Sequence, residues 1–461
     1  MKQYAAYKPS GVAWLGDVPE HWEVKRLKFA LEHIEQGWSP QCDNSPAEPG
    51  EWGVLKVGCV NGHEFEPSEN KRLPNDLEPR TEYTIQIGDV LMSRANTKEL
   101  VGSAAIVHKL PTSLLLCDKL YRLRVNPTML HKDFLVYNLR SKAARVQYEL
   151  AATGASGSMQ NIGQDTVYDL QIAFPPLPEQ RAIAAFLDER TAHLDGLIRR
   201  KEDLLKLLAE QRAALITRAV TRGLDATASL QESGVPWLGQ VPAHWAVKRL
   251  KFVVSKTGSG KTPKGGADVY VSEGVTFLRS QNIHFDGLEL SDVAYIEPAV
   301  DEEMSSTRVK PGDVLLNITG ASLGRVAMAG PELGPANVNQ HVCILRPDQR
   351  QVHSIFLWKF LASPVGQGEI FQNEQGISRD ALNFEQIDNL WLCIPPLDEQ
   401  KAIVEHLIEL EAPLLALRDK VIMHIAKLRE YRAALITAAV TGRIDVRAGV
   451  AVAEPALAEA L

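Results

Sequence analysis

The sequence predicts an α+β chain made by tandem duplication. A β-rich globular domain followed by a long helix occurs twice, and the two helices pack as an antiparallel coiled coil with pseudo-two-fold cyclic symmetry. Three observations lead there. Residues 10–29, SGVAWLGDVPEHWEVKRLKF, match residues 233–252, SGVPWLGQVPAHWAVKRLKF, at 16 of 20 positions. PPLPEQRAIAAFL from Pro175 returns as PPLDEQKAIVEHL from Pro395, and RAALIT from Arg212 returns unchanged from Arg432. A repeat of about 220 residues is far longer than the 20–50 residues of a solenoid unit, so the repeating object is a whole domain with its helix.

Taken in order, the globular segments span residues 1–175 and 226–395, the helical segments 176–225 and 396–445, with a tail at 446–461. The globular segments carry short β-branched and apolar runs such as Val54-Leu55-Lys56-Val57, Asp89-Val90-Leu91-Met92 and Val275-Thr276-Phe277-Leu278, punctuated by Gly, Pro, Asn and Asp. Between the matching blocks the copies agree sparsely: Gly88-Asp89-Val90-Leu91 answers Gly312-Asp313-Val314-Leu315, and Leu55-Lys56 answers Leu278-Arg279. The helical segments show a seven-residue seam, Leu187, Leu194, Leu208 and Leu215 in one and Leu407, Leu414, Val421, Leu428 and Leu435 in the other, with Lys201 as the exception opposite Val421. Pro175-Pro176 and Pro395-Pro396 end each globular domain and pre-set helix entry. Pro413 lacks an N–H and clashes with the preceding turn, so the second helix is expected to break or restart there, and the first near His193–Gly196. The Ala-rich end has no partner in the repeat and reads as a frayed tail.

Two seamed helices bury each other most simply side by side. Antiparallel packing then brings the end of the second helix to the start of the chain and sets one globular domain at each end. Residues 191–221, at about 1.5 Å per residue, make a rod of about 46 Å, equal to roughly 13 base pairs of duplex. Two readers held that far apart suit a bipartite sequence.

Composition narrows the function classes. With 50 Lys+Arg against 57 Asp+Glu, the formal charge of −7 opposes bulk electrostatic binding of nucleic acid, so any DNA contact must be local. Residues 1–175 carry 19 basic and 21 acidic residues, and residues 226–395 carry 14 and 18. The five cysteines are scattered without metal-site spacing, which fits a reducing cytoplasm, and no apolar run reaches the roughly 20 residues of a membrane span.

Several motifs tempt an enzymatic reading. Thr257-Gly258-Ser259-Gly260-Lys261-Thr262 resembles a phosphate loop, but Ser255 stands where the opening glycine belongs, Pro263 opposes the following helix, and the first copy has Gly37-Trp38-Ser39-Pro40 in the aligned place. Asp17 with Glu23-Val24-Lys25 resembles a metal-dependent nuclease, yet the second copy has Gln240 and Ala246-Val247-Lys248. Neither an adenine-holding N/D-P-P-Y/F sequence nor an F-x-G-x-G methyl-donor loop is present. The duplicated Trp14, Trp22, Trp237 and Trp245 suit core packing better than base stacking, because readers of different half-sites should diverge. Lys25-Arg26-Leu27-Lys28 and Lys248-Arg249-Leu250-Lys251 suit phosphate contact and plain solvation equally.

Divergent polar residues at aligned places are the better candidates for base contact, since Arg, Asn and Gln make the bidentate bonds that discriminate bases. They are Lys56, Arg94, Asn96, Lys98, Ser156, Ser158, Gln160 and Asn161 in the first copy, and Arg279, Gln281, Asn282, His284, Asn317, Thr319, Ser378 and Arg379 in the second.

The doubled S-G-V-x-W-L-G-x-V-P-x-H-W-x-V-K-R-L, the PPLPEQ and PPLDEQ helix entries and the closing RAALIT resemble the specificity subunit of type I restriction-modification systems over nearly the whole chain. The resemblance implies that the globular domains are target recognition domains, each reading one half of an asymmetric split DNA site. The helices would then form a spacer that docks two methylation subunits. It implies a non-catalytic chain that binds no cofactor, with S-adenosylmethionine, ATP and Mg²⁺ belonging to methylation and restriction subunits. A modification-only or regulatory assembly is the alternative that sequence does not separate.

Overall fold

The computed structural model describes residues 2–62, 64–152, 159–372 and 381–447. Among them no helix is long and apolar enough to cross a membrane. The chain divides into two compact units, Met1–Lys201 with Met423–Leu461, and Glu202–Ile422. Each unit therefore holds the opening half of one long helix and the closing half of the other, and in the first unit the closing half comes from a distant part of the sequence.

The first unit is built on a four-stranded antiparallel sheet in the order 31–36, 120–125, 90–93, 104–106. The second unit repeats that order with 254–259, 342–347, 314–317 and 326–328. Beside it lies a second sheet whose shared feature is a parallel pair, Ser113–Leu115 with Trp52–Leu55 in one unit and Ala336–Val338 with Val275–Leu278 in the other. The first unit adds one strand to this pair and the second adds three. A helical hairpin follows in each, Lys132–Arg140 with Lys142–Ala151 and Ser354–Ala362 with Pro364–Gln372.

The sparse Gly-Asp-Val-Leu match between the copies has a structural cause. Gln86-Ile87-Gly88-Asp89 and Lys310-Pro311-Gly312-Asp313 form the same turn, with Gly88 and Gly312 both at φ 87°. That left-handed position excludes a side chain without strain. The aspartate that follows accepts from the backbone N–H at the head of the turn, Gln86 at 2.9 Å and Lys310 at 2.7 Å. It also pairs with an arginine of the central strand, Arg124 at 2.9 Å and Arg346 at 2.7 Å. In the first unit Arg122 joins this network through Asp89 and Glu35.

The long helices are Leu177–Arg222 and Leu397–Val440. The second runs unbroken through Pro413, and the first through His193–Gly196, which corrects the expected breaks. Pro413 and Glu409, whose carbonyl loses its helical donor, are both exposed, so water can satisfy that oxygen. Neighbouring Glu411 is held by Arg212 at 2.6 Å and Lys359 at 2.7 Å. Of the seam residues, Leu187, Leu194, Leu208, Leu407, Val421 and Leu435 are buried, while Leu215, Leu414 and Leu428 are half-buried.

Within each unit the paired half-helices run antiparallel. In the first, Glu179 approaches Arg447, and Asp195 pairs with Arg432 at 2.9 Å. In the second, Arg212 pairs with Glu411, and further along Val220 O accepts from Cys393 Sγ. The duplicated RAALIT arginine thus makes a cross-helix ion pair in both units. The end of the chain returns to its start: Asp445 N donates to Lys2 O at 3.0 Å, and the Arg447 guanidinium lies over the Tyr4 ring. Of the residues expected in the tail, Val446 is buried here while Arg447 is exposed on the Tyr4 ring; residues 448–461 lie outside the described residues.

The Glu35 carboxyl supplies a pH test. Burial raises its pKa, but hydrogen bonds from Arg124, His33 and Arg122 outweigh this and hold it down at about 2. A depressed folded pKa stabilises above the unfolded value of about 4.3, and that stability is lost as pH falls toward 2. Glu35→Gln is expected to flatten the decline of thermal stability between about pH 4.5 and 2; an unchanged slope would show that Glu35 is not an acid-sensitive group of this sheet.

Candidate nucleic-acid interface

In each unit three chain segments converge at one end of the four-stranded sheet. In the first, Arg94 N donates to Lys119 O and Ile162 N donates to Arg94 O. In the second, Ile318 N donates to His341 O and Leu382 N to Ile318 O. The backbone arrangement is the same and the side chains it presents are different. Polar side chains able to bond base edges lie at this end of both frames, and they differ between the two.

The strand Ala95–Asn96 pairs antiparallel with Gln160–Asn161, so two groups of candidates about 65 residues apart meet in one ribbon. Thr319 makes the equivalent bridge to Ala381. Arg94 lies over the Tyr121 ring at 5.8 Å and donates to Asp118 O at 3.4 Å. Lys98 is exposed, and Lys56 is half-buried beside the turn Val57–Val60. Asn96, however, is buried: its amide donates to Asn61 at 2.7 Å and its carbonyl accepts from Thr97 N at 2.9 Å.

Three of the second unit's candidates, Arg279, Gln281 and Asn282, gather around Asp292. Arg279 donates to its carbonyl at 3.0 Å, Gln281 to its carboxylate at 2.9 Å, and His284 lies 2.8 Å from Gln281 O. Asn282, 1% exposed, donates to Glu289 O and accepts from Arg279 N. Asn317, fully buried, donates to Ser280 O at 2.7 Å. Asn96, Asn282 and Asn317 therefore hold the loops in place, a role that their exposed-looking sequence context did not suggest. Ser156, Ser158, Ser378 and Arg379 lie outside the described residues.

A family model for the type I restriction modification DNA specificity domain matches residues 19–207 and again residues 242–426. The chain belongs to the type I restriction-modification DNA specificity family. It is 31% identical to the specificity subunit of type I restriction enzyme EcoEI of Escherichia coli over 175 residues, 38% of this chain and 29% of that one. It is 22% identical to the MjaVIII specificity subunit of Methanocaldococcus jannaschii over 439 residues, 93% of this chain and 94% of that one. Its fold is shared with a chain from a structural study of complex assembly and conformational transition in the type I R-M system, with a TM-score of 0.65, 17% identity, and 93% and 99% of the two chains covered. It is a specificity subunit with two DNA target recognition domains, and such subunits recognise without catalysing.

The duplicated motifs of this specificity subunit root each recognition domain on its long helix. His21 lies 2.8 Å from Glu179, and His244 lies 2.8 Å from Glu399, so the His-Trp motif clasps the Pro-Leu-x-Glu-Gln motif twice. The next residue, Gln180 or Gln400, is buried and makes the same three bonds in both units. It accepts from the N–H of His131 or His353, and donates to Met129 and Pro175 carbonyls in one unit and Gln351 and Pro395 carbonyls in the other. Trp22 and Trp245 are buried in the domain cores, while Trp14 and Trp237 are half-buried.

The residues of both enzymatic motifs are engaged in the fold. Gly260 N donates to Val342 O and Lys261 N to Val338 O, so these phosphate-loop amides are already occupied. No helix starts there; the next is a single turn at Gly266–Val269. Asp17 sits in a surface ribbon paired with Pro9, and Glu23 pairs with Lys25. Burial pushes the thiols of Cys117, Cys343 and Cys393 up to about 12, which keeps them protonated and unreactive at neutral pH.

The two kinds of candidate separate experimentally. Asn282→Ala leaves buried groups unpaired and is expected to cost about 2–4 kcal/mol of stability in urea unfolding. Lys98→Ala is expected to change stability by less than about 0.5 kcal/mol, and to lower the salt slope of DNA binding by about one if Lys98 meets a phosphate. Unfolding curves that show the reverse order would contradict the assignment.

Proposed function

We propose that this subunit supplies the sequence recognition of a cytoplasmic type I restriction-modification assembly, each recognition domain reading one half of a bipartite, asymmetric duplex site. Residues 1–175 and 226–395 are the readers, residues 176–225 and 396–445 the spacer that sets the gap and docks two methylation subunits, and residues 446–461 the tail. One observation carries this: two readers share one backbone frame and present different side chains at the same end of it. Reading two different half-sites is what such a pair is suited to do.

Catalysis belongs to the partners. S-adenosylmethionine serves the methylation subunits, and ATP and Mg²⁺ the restriction subunits, while this chain contributes no cofactor site. The net charges of −2 and −4 over the two reader segments support weak binding by the isolated subunit, with tight binding only once methylation subunits enclose the duplex.

The decisive experiment maps N6-methyladenine in a methylation-deficient host expressing this chain with its methylation subunit. A single bipartite motif methylated on both strands is expected, and exchange of residues 1–175 for a homologous domain should change one half-site alone. A stable complex that methylates no motif would reject the reader assignment. Nanomolar, specific DNA binding by the purified subunit at physiological salt would reject the dependence on partners.

A further inference from the structure

The aligned Gly-x-Ser/Thr-Pro segments, Gly37-Trp38-Ser39-Pro40 and Gly260-Lys261-Thr262-Pro263, occupy the same place in the two readers. Each follows the edge strand of the four-stranded sheet and folds against a neighbouring loop. Trp38 N donates to Leu116 O at 3.0 Å and Lys261 N to Val338 O at 3.3 Å. A Cβ on Gly37 would lie 1.9 Å from Leu116 O, and one on Gly260 would lie 1.8 Å from Val338 O. Only glycine permits this approach, and the approach delivers the hydroxyl two residues later to a defined partner.

That partner is the residue two positions before the central strand in each unit. Ser39 Oγ donates to Asp118 Oδ1 and accepts from Asp118 N at 3.1 Å. Thr262 Oγ1 donates to Gln340 Oε1. The clamp is common to both readers, and the clamped side chain is acceptor-only in one and a donor–acceptor amide in the other. Ser39, Thr262 and Gln340 are exposed, and Asp118 is half-buried. Both residues adjoin the converging segments at the reading end: Asp118 O receives Arg94, and Gln340 Nε2 lies 3.0 Å from His341, whose Nδ1 lies 2.6 Å from Thr319.

The free hydrogen-bonding capacity differs accordingly. Asp118 Oδ2 has no partner among the described residues, which leaves a lone acceptor. Gln340, with one bond at Oε1 and one at Nε2, retains a second lone pair and a second hydrogen. In the major groove a carboxylate accepts from cytosine N4, and a planar amide pairs with both N6 and N7 of adenine. A pre-positioned side chain that differs between otherwise equivalent sites is what discrimination between two half-sites needs.

We propose that Asp118 and Gln340 are equivalent specificity-determining residues, Asp118 selecting a cytosine in the first reader's half-site and Gln340 an adenine in the second's. Ser39 and Thr262 are their positioning residues. The proposal rests on the reading of both domains as DNA readers, and its test separates the two. Asp118→Asn and Gln340→Glu are each expressed with the methylation subunit in a methylation-deficient host, and N6-methyladenine is mapped beside the unaltered complex. Preference for the specified base is expected to fall by roughly 5–150-fold at one position of one half-site. Asp118→Asn should shift it toward adenine and Gln340→Glu toward cytosine, with every other position intact.

Variants that keep the original motif at every position overturn the proposal while leaving the reader assignment standing. An unaltered complex that yields no bipartite motif overturns both. Should a substitution abolish methylation altogether, Ser39→Ala and Thr262→Ala decide: releasing the clamp should broaden the same single position, and an unbroadened motif counts against the assignment.

Discussion

Everything in this subunit depends on burial of helix surface that the local sequence cannot cover. The core of the first unit contains Val18, Trp22 and Leu27 from the start of the chain, Ile183, Leu187 and Leu194 from the first long helix, Leu435, Ile436, Ala439 and Val440 from the end of the second, and Ile444 and Val446 from the segment after it. The second unit's core joins Ile216, Ala219 and Val220 to Trp245, Leu250, Ile403, Val404 and Leu407 in the same way. At roughly 25 cal/mol per Å² of apolar surface, leaving such seams in water would cost more than a domain's net stability. The first recognition domain is therefore completed by a half-helix distant in sequence and the second by the two half-helices that flank it, and the order domain, helix, domain, helix is the simplest one that lets both close.

That constraint explains which parts of the repeat stayed alike. His21, Trp22, Glu179 and Gln180, with their counterparts His244, Trp245, Glu399 and Gln400, form the joint between domain and helix, where buried polar groups must be satisfied together. Asp89 with Arg124, and Asp313 with Arg346, brace the sheet. Both sets are invariant between the copies because they hold a common frame. The far end of the sheet carries no such joint, so its side chains differ. Frame and reading surface are thus separated along the strands, and the reading surface can change without disturbing the joint.

The duplication, the strand-rich domains and the seven-residue seam were legible because each rests on identity or periodicity along the chain. Pro413 was misleading: the rule that proline breaks a helix assumes that the lost bond matters, whereas here the freed carbonyl belongs to exposed Glu409 and the adjoining turn is held by Glu411. Asn96, Asn282 and Asn317 carry bonds within the fold that the sequence does not show. An asparagine that reads a base and one that ties a loop look alike in sequence, and only the partners Asn61, Glu289 and Ser280 distinguish them. The glycine-rich segment at Gly258–Thr262 resembles a phosphate loop in sequence, but the Gly260 and Lys261 amides are spent on the Val342 and Val338 carbonyls.

By itself the sequence determined the family, the duplicated α+β plan, the long helices and the region of each domain where variation concentrates, since these follow from repetition, hydrophobic period and composition. Tertiary structure alone decided which half-helix completes which core, and which polar residues are left free to recognise anything. Ser39 and Asp118 are 79 residues apart, and Thr262 and Gln340 are 78 apart. No local pattern links them; they meet because the sheet places an edge strand beside the central one, and a side chain's hydrogen-bonding freedom is settled only when its neighbours are known.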